Sequence, residues 1–188
     1  MNILTTIKDQ FLHMEWADAL VWQTVMASDV AQSDETIRAR LHHTHLVQRS
    51  FLAVWKGELV KPEDSNETQR VMMEWFKFGS DLRGAELMAW AQEYHRGASQ
   101  YLTGISETVL DQAVVLPWAD FVAARIGKKP EAPTLGETLF QVTAHSAYHR
   151  GQINTRLREL GAEPPLVDFI AWIWLARPVA QWQTSESE

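Results

Sequence analysis

The sequence predicts an all-α protein, a four-helix bundle followed by a short C-terminal helical segment. Two observations lead to this fold class. Apolar residues recur at helical spacing in four long segments, and neither an internal repeat nor a linker interrupts the chain. A chain of 188 residues is normally one domain. We therefore predict a single bundle domain over residues 1–180 and a polar tail over residues 181–188.

The first two helices are predicted from apolar faces and a capping residue. Residues 6–29 place Leu12 and Trp16 on one face of a helix. Ser33 is a residue type that caps helix N-termini, so the second helix is predicted to start there and to run to about Trp55.

The third helix is predicted over residues 84–103, between two long connections. The first connection, residues 58–83, contains a polar run and an apolar cluster. In the second, residues 104–133, the part from 110 to 131 is compatible with either a short hairpin or an irregular crossover.

The fourth helix has clear signals at both ends. Thr134 and Glu137 have the spacing of a capping box, and Gly161 follows Leu160 at the predicted C-terminus. A last apolar segment, residues 167–175, is predicted to pack back on the bundle.

Composition excludes several classes of function. The net charge of −7 argues against non-specific nucleic-acid binding, which depends on clustered Lys and Arg. No apolar run reaches the roughly 18 residues of a membrane span, and the N-terminus lacks the pattern of a signal peptide. Without cysteine the chain has neither thiolate ligands nor a cysteine nucleophile. We expect a cytoplasmic protein.

Two histidines four residues apart, His145 and His149, are the most informative feature of the fourth helix. They lie about 40° apart around the helix axis, so both rings can bind one metal ion. The wheel places His149 nearer the apolar face and His145 on its flank. Ser146 occupies the position of the general-base glutamate in a zinc-protease HExxH motif, which argues against peptidase chemistry.

A third histidine, His45, lies at the edge of the apolar stripe of the second helix, and Gln48 falls within that stripe. His42 and His43 fall on its flank or solvent side. Arg150 is a candidate for substrate binding at the mouth of the site, or for a structural ion pair. For His13 and His95 the prediction is a surface or packing role.

These features together resemble the DinB family of DNA-damage-inducible-type bundle proteins, which is related to the YfiT-like metal-dependent enzymes. The resemblance extends over nearly the whole chain and is most specific in its C-terminal part. The matching positions are Trp16 to Asp18; His45, Phe51, Leu52 and Trp55 to Gly57; and His145, His149 to Ile153, Leu157, Leu160, Gly161, Pro164, Pro165 and Asp168.

The resemblance implies an up-up-down-down bundle, often a homodimer, with a divalent metal ion on His45, His145 and His149. Nickel, zinc and iron all suit imidazole ligands. It also implies a metal-dependent enzyme, and the specific hypothesis is an S-transferase that acts on a low-molecular-weight thiol and a small-molecule substrate. Arg150 and Gln48 are the candidate substrate-binding residues.

Two alternatives stay open. One is metal-dependent hydrolysis, although no carboxylate can be assigned as its general base. The other is a non-enzymatic, stress-related binding protein in which the metal is structural. A structural site normally has four protein ligands, so a fourth from Asp18, Glu15 or His42 would favour it.

Overall fold

The computed structural model describes residues 2–182, apart from the side chain of residue 124. Over this range the chain forms eight α-helices, one 3₁₀ turn and no strand. The helices are α1 (Ile3–Met26), α2 (Asp29–Ser33), α3 (Glu35–Trp55), α4 (Ser65–Lys77), α5 (Gly84–Gly104), α6 (Ala119–Ile126), α7 (Leu135–Glu159) and α8 (Phe169–Trp174). The predicted all-α bundle is confirmed, with α1, α3, α5 and α7 as its long helices.

The helix ends follow local capping chemistry. Thr134 and Glu137 form the predicted capping box at the start of α7, and Gly161 has a φ of 80° just beyond its end. The N-cap of α3 differs from the prediction. It is Asp34, whose side chain accepts the N–H of Ile37, because Ser33 belongs to the short helix α2.

The two long connections contain helices that the sequence pattern did not reveal. Helix α4 lies within residues 58–83, and α6 lies within residues 110–131. Among the described residues, the second connection has only an isolated antiparallel bridge between Ala113 and Thr134, so it does not form a hairpin. The predicted C-terminal segment forms α8, which packs on α1 through Trp16 and Trp172. Residues 183–188 of the predicted tail lie outside the described residues.

The directions of the long helices correct the expected up-up-down-down order. Trp22 contacts His45, whereas the earlier residue Phe11 contacts Trp55, so α1 and α3 are antiparallel. The physical reason is the connection between them. Residues 27–34 reach about 27 Å when fully extended, which is less than the roughly 36 Å length of α1. The second long helix therefore cannot start again from the same end.

Helices α3 and α5 are parallel. Arg49 lies beside Trp90, and further along both helices Trp55 stacks on Tyr101. Helix α7 then runs antiparallel to α3, as the pairing of Arg156 with Asp34 at one end and of Trp55 with Thr138 at the other shows. The order is up-down-down-up, and residues 56–83 supply the long crossover that parallel neighbours require.

Two apolar clusters fill the bundle, and polar side chains lie between them. One cluster includes Trp22, Leu41 and Leu157, and the other includes Phe51 and Leu139. Each long helix contributes polar residues between these clusters. The buried polar residues there are Asp18, His45, Gln48, His95, Ser146 and Arg150.

None of the helices in the described part of the chain is both long and apolar enough to span a bilayer.

Candidate metal centre

Three histidines meet on the flank of the contact between α3 and α7. The Nε2 atoms of His145 and His149 lie 3.1 Å apart, and the two ring centroids 4.3 Å apart. Helix α3 contributes His43, whose ring centroid lies 4.7 Å from that of His149 and 5.2 Å from that of His145. Each ring offers one nitrogen within 4.8 Å of the other two. We call these three residues the flank cluster.

The spacing of the nitrogens fits a shared ion. Imidazole nitrogens bind zinc at about 2.0–2.1 Å, so two ligands at tetrahedral or octahedral angles are separated by about 3 Å. The 3.1 Å between the Nε2 atoms of His145 and His149 is of this size. His43 is the exposed member of the cluster, and the other two are half-buried. The site is therefore accessible from solvent.

Gln152 orients one of the rings. Its Oε1 lies 3.0 Å from Nδ1 of His149, where it accepts an N–H and leaves the Nε2 lone pair directed at the cluster. The ring of His145 is less completely bonded. Its buried Nδ1 has no hydrogen-bond partner among residues 2–182. A buried polar atom without a partner is costly, and the nitrogen of this ring that is available to the cluster is Nε2.

Two of the three rings in the flank cluster, those of His145 and His43, are neutral near pH 7. Burial, together with the neighbouring His149 and His43, lowers the pKa of His145 to about 4. Burial, with His149 and His42, also lowers the pKa of His43. Metal ligands must be unprotonated, so these shifts reduce competition from protons.

A second group of metal-ligand residue types, Asp18, His45 and His95, lies inside the bundle. Both ring nitrogens of His45 already have protein partners. Nε2 of His45 accepts the indole N–H of Trp22 at 2.9 Å, and Nδ1 donates to Oε1 of Gln48 at 2.7 Å. Burial lowers the pKa of His45 to about 4, and the ring is neutral.

Asp18 is saturated in the same way. Its Oδ1 accepts from Arg150 at 2.7 Å, and its Oδ2 accepts from Gln48 at 2.9 Å and from His95 at 3.1 Å. Burial by itself would raise the pKa of Asp18, but Arg150 and His95 outweigh it and lower the pKa. The side chain is a carboxylate. This group, which we call the central network, is complete without an ion.

The structure brings together only part of the predicted ligand set. His145 and His149 share a site, but His45 belongs to the central network. Near the two histidines, the core-facing positions of α7 are Ser146 and Arg150, so His149 lies on the flank rather than near the centre of the apolar face. The candidate substrate residues Gln48 and Arg150 are also buried in the central network. Arg150 forms a structural ion pair, which was the alternative to the substrate-binding role predicted for it.

None of the three candidate fourth ligands joins the flank cluster. Asp18 is in the central network, Glu15 accepts the indole N–H of Trp182, and His42 bonds the carbonyl of Phe78. Among the described residues the flank cluster has three members. Three protein ligands leave a coordination position for an outside molecule, which is the pattern of catalytic sites.

His43 was not among the predicted ligands, because the helical wheel places it on the flank or solvent side of α3. In the structure this flank faces α7, as the hydrogen bond from Arg40 to the carbonyl of Gln152 also shows. Of the surface or packing roles predicted for His13 and His95, the structure shows packing, since both are buried. His13 bonds the carbonyl of Val167.

A comparison with known families tests the resemblance. The sequence model of the DinB family matches residues 13–185. The chain belongs to the DinB family. None of the curated proteins compared with the chain matches it. The matched range contains the flank cluster and the central network, so both groups lie within the family domain. This DinB chain thus carries histidine groups that can hold a metal ion.

Proposed function

We propose that this DinB protein binds one divalent metal ion through His43, His145 and His149 and acts as a small-thiol S-transferase. The observation that carries the proposal is the flank cluster itself. Three imidazoles converge there with suitable nitrogen spacing, and no fourth protein ligand lies among the described residues. Nickel, zinc and iron are all candidates, because imidazole suits each of them.

The composition of the site favours thiol transfer over hydrolysis. The flank cluster contains no Asp or Glu among the described residues, so a carboxylate base for activating water is not at hand. A bound divalent ion would stabilise the thiolate form of a small thiol without such a base. The chain has no cysteine of its own, so the sulfur would come from the cosubstrate.

In the proposed reaction one bond forms and one bond to the same carbon breaks. The sulfur of the small thiol loses its proton to solvent and attacks an electrophilic carbon of the second substrate. A carbon–sulfur bond forms while the bond from that carbon to its leaving group breaks, and the leaving group keeps the electron pair. In an epoxide the leaving group is the ring oxygen, which stays attached through the second carbon and takes a proton from solvent. The protein holds the ring of His149 through Gln152 and keeps His145 unprotonated by burial.

The number of protein ligands also argues against a purely structural metal. A metal that only stabilises the bundle normally has four protein ligands, and its loss unfolds the protein. The flank cluster lies outside the two apolar clusters, and the central network is satisfied by protein groups. We therefore expect a folded protein without metal.

The deciding experiment is metal content by mass spectrometry, on wild type, His43→Asn and His149→Ala. His42→Asn is the matched control, because His42 precedes His43 on α3 and bonds the carbonyl of Phe78 instead. About one equivalent of metal is expected in wild type and in the control, and its loss is expected in the two cluster variants, with helical circular dichroism retained.

His45→Asn separates this site from the ligand set implied by the resemblance. If His45→Asn loses the metal while His43→Asn keeps it, the ligand set is His45, His145 and His149. If wild type neither contains nor takes up metal, the enzyme proposal fails.

Activity is tested on the metal-loaded protein with cysteine or glutathione and an epoxide, and thioether formation is followed by mass spectrometry. Turnover that is lost in His149→Ala supports the S-transferase. Ester hydrolysis without thiol dependence would support the hydrolase instead. We also propose a cytoplasmic homodimer, for which light scattering should give twice the 21.5 kDa chain mass.

A further inference from the structure

A cavity lies on the side of α7 away from the flank cluster, between α7, α1 and the segment that leads into α8. Its volume is about 330 Å³. The residues that line it are Gln10, His13, Met14, Thr143, Ala147, Arg150, Gly151, Asn154, Val167, Asp168 and Phe169. The flank cluster faces α3, so the two sites are on different sides of α7, and the inference about this cavity does not rest on the metal.

Asn154 lines the cavity and has an unused hydrogen-bond acceptor behind the cavity wall. The side chain of Asn154 is 8% exposed, and its buried Oδ1 has no hydrogen-bond partner within the described part of the chain. A buried polar atom without a partner costs about 1–3 kcal/mol. Packing alone does not explain an asparagine here, because an apolar residue of similar size would avoid that cost.

Arg150, four residues before Asn154 on α7, offers donors to the same cavity. Its side chain is 4% exposed, and within residues 2–182 the guanidinium makes one hydrogen bond, from NH1 to Asp18. A guanidinium has five N–H donors, so several remain for a ligand. Residues four apart on a helix lie on the same face, so these donors and the Asn154 acceptor are neighbours.

The charges around the cavity favour a neutral ligand. The positive charge of Arg150 is balanced by Asp18 directly behind it. Burial lowers the pKa of His13, whose Nε2 bonds the carbonyl of Val167, so this ring is neutral near pH 7. The remaining charge is the exposed carboxylate of Asp168 at the rim. An anion would find no unbalanced positive charge in the cavity.

We propose that this cavity binds a small neutral amide or urea. The carbonyl oxygen of such a molecule accepts from Arg150, and its N–H donates to Oδ1 of Asn154 after the Asn154 amide rotates about χ2, because Oδ1 is closed to water in the unliganded protein. The apolar side chains of Met14, Val167 and Phe169 contact the rest of the ligand. A primary amide satisfies both unused groups at once, whereas a carboxylate offers no N–H and an amine offers no carbonyl.

Gly151 provides a way to fill the cavity without breaking the fold. It lines the cavity between Arg150 and Asn154, and a Cβ added to it would meet nothing within 4 Å. Alanine is also a better helix former than glycine, by about 1 kcal/mol. Gly151→Ala should therefore keep or raise stability while it narrows the cavity. Gly104→Ala in α5 is the matched control, because its Cβ also meets nothing within 4 Å.

The test is a titration of ¹⁵N-labelled full-length protein with benzamide, with benzoate and benzylamine as comparison ligands. Benzamide should shift backbone signals of residues 143–154 and the side-chain amide signal of Asn154. Benzoate and benzylamine should shift them much less. Asn154→Leu removes the acceptor and should weaken benzamide binding at least about tenfold. Gly151→Ala should weaken binding as well, and Gly104→Ala should not.

Thermal unfolding checks that each variant is folded, and Asn154→Leu should be at least as stable as wild type. The proposal is overturned if benzamide leaves residues 143–154 unshifted or binds Asn154→Leu as well as wild type. Benzoate binding more tightly than benzamide would also overturn it. None of these results depends on metal content, so the proposal can fail while the metal site stands.

Discussion

The flank cluster and the central network contain similar residues in opposite states. In the central network each ring nitrogen of His45 has a protein partner, and the carboxylate of Asp18 accepts from three side chains. In the flank cluster Nδ1 of His145 has no partner in the described range, and the Nε2 atoms of two rings face each other. A saturated buried group specifies packing, whereas an unsaturated accessible one is available to a ligand.

Burial alone does not identify a metal site. A search guided only by burial would choose the central network, because its three candidate ligands are all buried. The hydrogen bonds favour the flank cluster instead, because the candidate ligands of the central network already have protein partners. The two regions should therefore respond differently to mutation, pH and loss of orienting contacts.

Asp18→Ala should have the largest effect. It leaves the Arg150 guanidinium buried without its counter-charge, which typically costs about 3–5 kcal/mol of unfolding free energy. Urea unfolding measures this loss, and any variant that remains folded should still bind metal at the flank cluster. Lost metal binding with unchanged stability would mean that Asp18 belongs to the metal site.

Acidification should have the next largest effect. The pKa of His45 is about 4 in the folded protein and about 6.5 in the unfolded chain. Between these values the unfolded chain binds more protons, so the unfolding free energy is full above pH 6.5 and falls as pH decreases towards 4. For the fully buried His45 the loss is on the order of 3 kcal/mol.

Urea unfolding of metal-free protein between pH 7 and 5 measures the slope of unfolding free energy against pH. His145, whose pKa is also lowered to about 4, adds to it, but its half-exposed position reduces its share. His145→Asn should therefore keep most of the slope. A flat profile, or a slope that His145→Asn abolishes, would show that His45 does not titrate as a buried neutral ring.

Gln152→Leu should have the smallest effect, and on the flank cluster alone. It removes the acceptor that orients His149, and the loss of such a partner typically weakens metal affinity about 10–100-fold. Competition with a chromogenic chelator measures the change. Stability of the metal-free protein should change little, because Gln152 is only half-buried. Unchanged affinity would indicate that Gln152 does not orient the ring.

Much of the fold is readable from local sequence. The helical spacing of apolar residues predicted the four long helices, and the capping box of Thr134 and Glu137 placed the start of α7 correctly. Helices α4 and α6 were missed because they are short, 13 and 8 residues, and lie in segments whose proline, glycine and polar residues are typical of connections. The predicted end of the first helix lies three residues beyond the observed one, because Ser28 caps the next helix, α2.

The sequence by itself determined the all-α bundle, the pairing of His145 with His149 on one helix, and membership of the DinB family. These follow from helical periodicity and motif spacing, which are properties of one segment at a time. Only the tertiary structure decided the up-down-down-up order and the meeting of His43, rather than His45, with that pair. A helical wheel ranks residues by angle about one axis, whereas the partner of a side chain also depends on the register and rotation of the neighbouring helix.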